Sequence, residues 1–172
     1  MTLQLKGKVW VFGDNLNVDK DIVPFREREL GLIKPGEFGK WCMTPLDPDF
    51  PKKMKKGDIM VVGSNMGCGQ AHYSSNEAIK QCGIACVIAE SFDRNFFRNS
   101  IAVGLPIIEY KGIKQKVKEG DILEVDLRAG KIMNRTTKKN MKFTPLPDFL
   151  LDFLEAGGAE QYGNKLIAEG KA

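Results

Sequence analysis

The strongest pattern in the chain is a pair of short apolar runs separated by a glycine-rich loop and a polar helical segment. The first run is Ile59–Val62, and three glycines follow it within seven positions: Gly63, Gly67 and Gly69. Residues 76–81 favour a helix that Gly83 ends, and residues 84–89 form the second apolar run. Two buried strands joined by a short helix make a βαβ unit, whose crossover is right-handed in nearly all cases. The pattern therefore predicts an α/β fold.

The other elements follow from hydrophobic periodicity on either side of this unit. Residues 8–12 are rich in β-forming side chains and predict an opening strand. Residues 91–99 place phenylalanines at helical spacing, with Ser91 as the N-cap candidate. Residues 122–127 alternate apolar and acidic side chains, which indicates a half-exposed strand, and the turn after them predicts a hairpin. A helix over residues 148–156 precedes a short helix or frayed tail.

Composition and charge place the chain among ordinary globular proteins. Its 172 residues are 42% hydrophobic and 28% charged, so we expect one domain over residues 1–172, with a helical tail from about residue 145. The formal net charge is only +4, and the lysine clusters at 52–56 and 138–142 lack interleaved aromatics. These clusters indicate solvated turns and not a nucleic-acid-binding surface.

Neither a membrane span nor a signal peptide is predicted from the sequence. No apolar run approaches the roughly 18 to 20 residues that cross a bilayer. The N-terminal residues lack the apolar segment and small-residue cleavage site of a signal peptide. We therefore expect a cytoplasmic protein without membrane partners.

The cysteines do not form a metal-binding pattern. The chain has four, Cys42, Cys68, Cys82 and Cys86, and one histidine, His72. Their spacing, C-x25-C-x13-C-x3-C, matches no common zinc or iron–sulfur arrangement. Cysteine beside a buried strand usually serves as a small apolar residue. We expect no metal in this chain.

The glycine loop suits an anionic ligand. In a βαβ unit this loop and the start of the helix lie at the carboxyl edge of the sheet. Backbone N–H groups there lack partners, and the helix dipole is positive. We expect the main-chain amides from Gly67 to Gly69 to hold a carboxylate or phosphate group.

Charged side chains crowd the segment before this unit. Asp14, Asp19 and Asp21 either form and cap turns or belong to a loop that orients a ligand at the sheet edge. Arg26 and Arg28 follow Pro24. They either clamp a carboxylate through paired hydrogen bonds or form ion pairs with adjacent glutamates at the surface.

Four segments of the chain occur in an order known from one enzyme family. They read VFGDN, GDIMVVGSNMGCG, VIAESFDRNFFRNSIAVGLPIIE and FTPLPDFLLDFLEAGG. Together they resemble the small subunits of 3-isopropylmalate dehydratases and homoaconitases, which are similar to the C-terminal swivelling domain of aconitase. The resemblance covers nearly the whole chain, and residues 87–109 are its most specific part. It implies a three-layer, swivelling β/β/α domain of the aconitase domain-4 type.

The resemblance also implies partners and an activity. In this family the small subunit caps the active site of a separate large subunit, which holds a [4Fe-4S] cluster that activates the substrate hydroxyl. This chain would be a hydro-lyase subunit, active only in a heterodimer or heterotetramer, that reversibly dehydrates a small hydroxy diacid in leucine biosynthesis. The resemblance places no cofactor in this chain. Because the faces of a swivelling domain are exposed when the large subunit is absent, a homo-oligomer of the isolated chain is expected to be possible.

The glycine loop departs from the family pattern at its reactive side chains. In relatives the loop reads G-x-G-S-S-R-E, where the first serine is the general base and the arginine binds a substrate carboxylate. Here Gln70, Ala71, His72 and Tyr73 replace S-S-R-E. Histidine titrates near neutral pH and is a competent general base. The catalytic candidates are His72, Ser74 and Ser75, and the substrate-binding candidates are Arg26, Gly67, Cys68, Gly69, Gln70 and Ala71.

A second departure from the family pattern lies in the segment before Arg26. Relatives carry D-x-I-x-P, whereas the segment from Asp19 to Pro24 holds one extra residue. Arg26 falls where relatives place a residue near the variable arm of the substrate.

Three interpretations of the altered loop are open. The chain is a working dehydratase subunit in which His72, Ser74 or Ser75 transfers the proton. Alternatively, it is a paralogue that acts on another diacid, of the homoaconitate, maleate, citraconate or dimethylmalate type. In the third interpretation it is a non-catalytic binding or regulatory subunit. His72 also has a purely structural interpretation, as a helix cap or a solvent-facing ring.

Overall fold

A computed structural model describes residues 3–70 and 72–171. The strands are β1 (Gln4–Val11), β2 (Ile59–Val62), β3 (Cys86–Ala89), β4 (Ile107–Glu109), β5 (Ile122–Asp126), β6 (Lys131–Asn134) and β7 (Lys139–Lys142). The helices are α1 (Phe25–Glu29), α2 (Phe50–Lys53), α3 (Tyr73–Cys82), α4 (Arg94–Val103), α5 (Asp148–Ala156) and α6 (Ala159–Ala168). The seven strands form one curled sheet in the order β4-β3-β2-β1-β5-β6-β7. The predicted α/β class is confirmed.

The parallel half of the sheet contains the predicted βαβ unit. Strands β1 to β4 run parallel, and every residue of β2 and β3 is buried. Helix α3 connects β2 to β3 and starts at Tyr73, three residues earlier than predicted. It ends at Gly83, whose φ of +105° is the left-handed conformation that glycine adopts most readily.

Helix α4 is confirmed, but its N-cap is Asp93 and not Ser91. The Asp93 side chain accepts hydrogen bonds from the backbone N–H groups of Asn95, at 2.8 Å, and Phe96, at 3.1 Å. A carboxylate in this position satisfies two of the unpaired amides of the helix start. The Ser91 hydroxyl instead accepts a hydrogen bond from the Asn65 amide at 2.8 Å.

The antiparallel half of the sheet is larger than the periodicity predicted. Strand β5 shows the expected alternation, and β5 and β6 form the predicted hairpin. Strand β1 begins before the predicted segment because its first residues pair with β5. Strand β7 falls in a lysine cluster that we had interpreted as a turn. Its exposed lysines and single buried Met141 suit an edge strand, where lysine opposes further pairing.

The C-terminal segment folds into two helices. Helix α5 has the predicted bounds, and α6 follows where a short helix or a frayed tail was expected. Both pack against α4. Within the described residues, no helix is both long and apolar enough to cross a lipid bilayer.

Lys80 links three helices through hydrogen bonds. Its ammonium group, on α3, donates hydrogen bonds to the carbonyl of Val103 at the end of α4 and to that of Gly157, 2.9 Å away, just after α5. A cation is favoured at a helix C-terminus because the carbonyls there are unpaired and the dipole is negative.

We expect Lys80→Met to lower the free energy of unfolding by about 2 kcal/mol, because two carbonyls lose a charged donor. Chemical denaturation measures this change. Lys111→Met is the control, since Lys111 is exposed and forms no hydrogen bond or ion pair. An equal effect of the two variants would contradict the bridging role of Lys80.

Candidate active site

Loops from three parallel strands meet at the carboxyl edge of the sheet. The Asn65 side chain, after β2, donates to the Asn15 side chain, after β1, at 2.8 Å. The Met66 amide donates to the carbonyl of Ser91, after β3, at 3.0 Å. Open α/β sheets bind ligands at this edge. The glycine loop, residues 63–70, is therefore held where a substrate site is expected.

Two glycines of this loop occupy places that no side chain could share. Gly67 has a φ of +85°, and a Cβ atom there would lie 2.2 Å from Cγ of the buried Phe96 ring. Gly69 has a φ of +110°, and its Cβ would lie 2.8 Å from Oδ1 of Asn17. The loop is consequently fixed between α4 on one side and the loop after β1 on the other.

The amides of the loop do not all face a ligand, contrary to our expectation. The Gly67 N–H donates to the carbonyl of Leu16 at 2.9 Å. The Gln70 N–H donates to Asp19 Oδ2 at 2.8 Å. Because buried backbone donors are paired wherever an acceptor is in reach, the nearby β1 loop takes up these groups. The prediction that the main-chain amides from Gly67 to Gly69 hold a ligand is therefore wrong at least for Gly67.

A cluster of charged side chains lies beside the loop, and we call Asp19, Arg28 and His72 the Asp19 cluster. Oδ1 of Asp19 accepts from both terminal nitrogens of Arg28 at 3.3 Å. His72 Nε2 lies 3.6 Å from the same oxygen. The exposed fractions of the side chains are 9% for Arg28, 17% for Asp19 and 28% for His72. One carboxylate oxygen thus faces two basic groups in a largely buried setting.

A wide turn positions Asp19. Residues Val18–Ile22 form a single π-helical turn, which holds more residues than an α-helical turn and is frequent at functional sites. Asn17 caps it, because its side chain accepts from the amides of Asp19 and Lys20. The buried side chains of Val18 and Ile22 anchor the turn in the core. The wide turn coincides with the extra residue predicted in this segment.

His72 is placed at the start of α3. Its backbone is extended, and its Nε2 atom is buried without a hydrogen-bond partner. The Ser75 hydroxyl donates to the His72 carbonyl at 2.9 Å, and Ser75 is fully buried. We therefore assign Ser75 to the helix start instead of the expected proton transfer. The Ser74 hydroxyl is buried without a partner, and Ala71 lies outside the described residues.

Sequence reasoning chose Arg26, but the arginine of the cluster is Arg28. Arg26 is exposed and does not join the Asp19 cluster. Arg28 lies over the Phe25 ring, 5.1 Å from its centroid, and also contacts Glu29 at 3.1 Å. The sequence feature that points to this cluster is the group of aspartates at positions 14, 19 and 21, close to two arginines.

The thiols are not arranged for a metal ion. Burial raises the pKa of Cys86 well above its usual range, and burial followed by the negative charge of Asp21 raises the pKa of Cys68. Hydrogen bonding from Cys42 lowers the pKa of Cys82, whereas burial raises that of Cys42. Across residues 3–70 and 72–171, no three His, Cys, Asp or Glu side chains lie close enough to hold a metal ion.

A surface cavity of about 560 Å³ lies away from this cluster. It is a groove on the antiparallel half of the sheet, lined by residues of β1, β5, β6 and β7, with the Lys6–Glu124 ion pair on one side. This groove does not lie at the carboxyl edge of the parallel strands, where open α/β sheets bind ligands, so we place the candidate site at the Asp19 cluster.

Comparison with known proteins agrees with the resemblance predicted from the four sequence segments. The family described as the aconitase C-terminal domain matches residues 43–113. The isopropylmalate/citramalate isomerase small subunit of Methanocaldococcus jannaschii is 52% identical over 165 residues, which is 96% of each chain. The 3-isopropylmalate dehydratase small subunit of Halothermothrix orenii is 45% identical over 156 residues, or 91% of this chain and 93% of the other.

A solved structure agrees as well. The crystal structure of a 3-isopropylmalate dehydratase from Methanocaldococcus jannaschii superimposes with a TM-score of 0.86 and 38% identity, covering 98% of this chain and 99% of the other. The predicted aconitase-like fold is thereby confirmed. On these sequence and structural matches, the chain belongs to the family of 3-isopropylmalate dehydratase small subunits.

Proposed function

We propose that the chain is the small subunit of a two-chain hydro-lyase that reversibly removes water from a hydroxy diacid of the isopropylmalate type. The names of its relatives support this reaction class. The observation that carries the proposal for this chain is the Asp19 cluster, which sets an ionisable ring at the carboxyl edge of the sheet.

The large subunit would supply the metal chemistry. Among residues 3–70 and 72–171, no three His, Cys, Asp or Glu side chains gather into a ligand set, and the family resemblance assigns an iron–sulfur cluster to the large subunit. When bound there, a [4Fe-4S] cluster supplies a Lewis acid for the departing hydroxyl group. This chain's task is then to bind the substrate carboxylates, exclude water and move a proton.

His72 is our proposed proton carrier. The serine that acts as base in relatives is Gln70 here, and an amide does not take up a proton near neutral pH. Ser75 is buried and engaged, and the Ser74 hydroxyl is also buried. His72 is partly exposed and ionisable, so it is the group suited to take the proton from the carbon next to a carboxylate and return it.

Arg26 is proposed to bind a substrate carboxylate. It is exposed, whereas Arg28 already faces Asp19 and Glu29. A guanidinium without a competing carboxylate is free to form a bidentate pair with a diacid.

A second candidate differs only in the substrate. The Methanocaldococcus jannaschii relative is named for both isopropylmalate and citramalate, and the changed side chains at positions 70 and 72 favour an altered diacid. Citramalate carries a methyl group where isopropylmalate carries an isopropyl group, so the pocket for the variable arm would decide between them. Homoaconitate, maleate, citraconate and dimethylmalate are further members of the same chemical class.

The test is an assay of the chain with and without a co-expressed aconitase-like large subunit, under anaerobic conditions. We expect no turnover by the chain alone, and turnover of at least one diacid by the pair, measured through absorbance of the alkene. Binding of a diacid without turnover of any member of the panel would support the regulatory interpretation and overturn this proposal.

A further inference from the structure

The Asp19 carboxylate contacts Arg28, His72 and the Gln70 amide. Oδ2 accepts from the Gln70 amide at 2.8 Å, and Oδ1 accepts from both terminal nitrogens of Arg28 at 3.3 Å. With these contacts and the cap from Asn17, the carboxylate has one orientation. Carboxylates held by charged and backbone donors are well placed to orient a third group.

The third group is the His72 ring. Nε2 is the ring nitrogen that faces Asp19, at 3.6 Å from Oδ1, and it is buried. Because the side chain is 28% exposed while Nε2 is inaccessible, the exposed part belongs to the other atoms of the side chain. Nδ1 is the only other atom of the ring that can exchange a proton. The distance to Asp19 is longer than a hydrogen bond, as is common for catalytic pairs without substrate.

We propose that Asp19 is the positioning residue for His72: it keeps the proton of the neutral ring on Nε2 and leaves Nδ1 to take the proton from the substrate. This inference rests on the proposed function, in which His72 carries the proton. A carboxylate accepts hydrogen bonds but cannot donate them, so only the tautomer with Nε2–H faces it favourably. The arrangement follows the general logic in which an acid fixes the tautomer of a catalytic histidine.

The other members of the site hold Asp19 in this role. Arg28 and the Gln70 amide both donate hydrogen bonds to the carboxylate, which opposes its rotation towards solvent. In the proton-transfer step, the bond between the substrate carbon and hydrogen breaks and the proton moves to Nδ1. The electron pair of that bond forms the alkene, and the hydroxyl group leaves as hydroxide, for which the large subunit's cluster would supply the Lewis acid. The ring becomes a cation that faces the Asp19 side chain.

The experiment exploits the fact that His72 is the only histidine in the chain. Nitrogen NMR of the isolated, ¹⁵N-labelled chain reports directly which ring nitrogen carries the proton in the neutral ring. We expect Nε2 to carry it in the wild-type chain. In Asp19→Asn, a neutral amide replaces the carboxylate that faces Nε2, so the preference for a proton on Nε2 weakens and the population with the proton on Nδ1 should rise several-fold.

Asp14→Asn is the matched control. Asp14 lies at the same edge of the sheet and likewise accepts from one backbone amide, that of Ser64, and one cationic side chain, that of Lys114. It forms no ion pair with His72. We expect its spectrum to match the wild-type spectrum.

Two results would overturn the inference. One is a proton on Nδ1 in the wild-type neutral ring, which tests the proposal even where Asp19→Asn fails to fold. The other is an unchanged tautomer population in a folded Asp19→Asn variant. In the assembled enzyme, Asp19→Asn should lower kcat about a hundredfold and change KM much less, because the residue acts on proton transfer.

The spectra and the assay separate this inference from the proposed function. A tautomer change without any turnover by the wild-type pair would refute the hydro-lyase but still show that Asp19 sets the tautomer of His72. Turnover by the pair with no tautomer change would refute the positioning role alone.

Discussion

Replacing His72 by alanine should lower the turnover of the assembled two-chain enzyme by about a hundredfold or more. The reason is that Gln70 occupies the place of the family's serine base, and Ser75 is buried with its hydroxyl bound to a carbonyl. His72 follows the loop directly and is partly exposed, and an imidazole is a competent general base. Steady-state rates on the diacid that the wild-type pair accepts measure the effect.

A second substitution distinguishes proton transfer from simple hydrogen bonding. His72→Gln keeps a polar group of similar reach but cannot take up a proton. If His72 moves the proton, both variants lose activity to the same extent. Recovery of near-normal rates in His72→Gln would show that the ring only binds substrate or caps α3, and full activity of His72→Ala would remove it from the mechanism.

The second prediction with a large expected effect concerns the conformational stability of a Gly67 variant. A methyl group there would lie 2.2 Å from Cγ and 2.4 Å from Cβ of Phe96, which is only 1% exposed, and the backbone has a φ of +85°. The methyl group would force the buried ring or the loop to shift, so we expect Gly67→Ala to lower the free energy of unfolding by about 3 kcal/mol. Chemical denaturation of the isolated chain provides the measurement.

Gly13→Ala is the control for this variant. Gly13 lies at the same edge of the sheet, but a Cβ atom there meets nothing within 4 Å, and the residue has no positive φ. Its substitution should change stability by no more than about 0.5 kcal/mol. A similar loss in both variants, or no loss in Gly67→Ala, would show that the close approach to Phe96 does not constrain the loop.

The elements that could be predicted are those whose pattern is local. Apolar runs and glycines at the ends of β2 and β3 are sufficient to identify a buried βαβ unit, and alternation is sufficient for β5. Strand β7 was missed because only Met141 in it is buried, so it carries no alternation. Its pairing with β6 is a tertiary contact that no local pattern reports.

The position of the glycine loop was predicted, but its contacts were not. The glycine loop was correctly expected at the carboxyl edge of the sheet. The partners of its amides, Leu16 and Asp19, lie about 50 residues away along the chain, and a sequence pattern does not show which donor meets which acceptor. The same holds for the arginines, since only the packing of α1 determines that Arg28 and not Arg26 meets Asp19.

The central claim is that this chain supplies the group that moves the substrate proton. The most direct measurement follows, by NMR in D₂O, the exchange of the hydrogen on the substrate carbon next to a carboxylate. The wild-type pair should incorporate deuterium at that carbon, and the pair containing His72→Ala should do so about a hundredfold more slowly. Equal exchange rates in the two assemblies would place the proton-transferring group in the large subunit and contradict the claim.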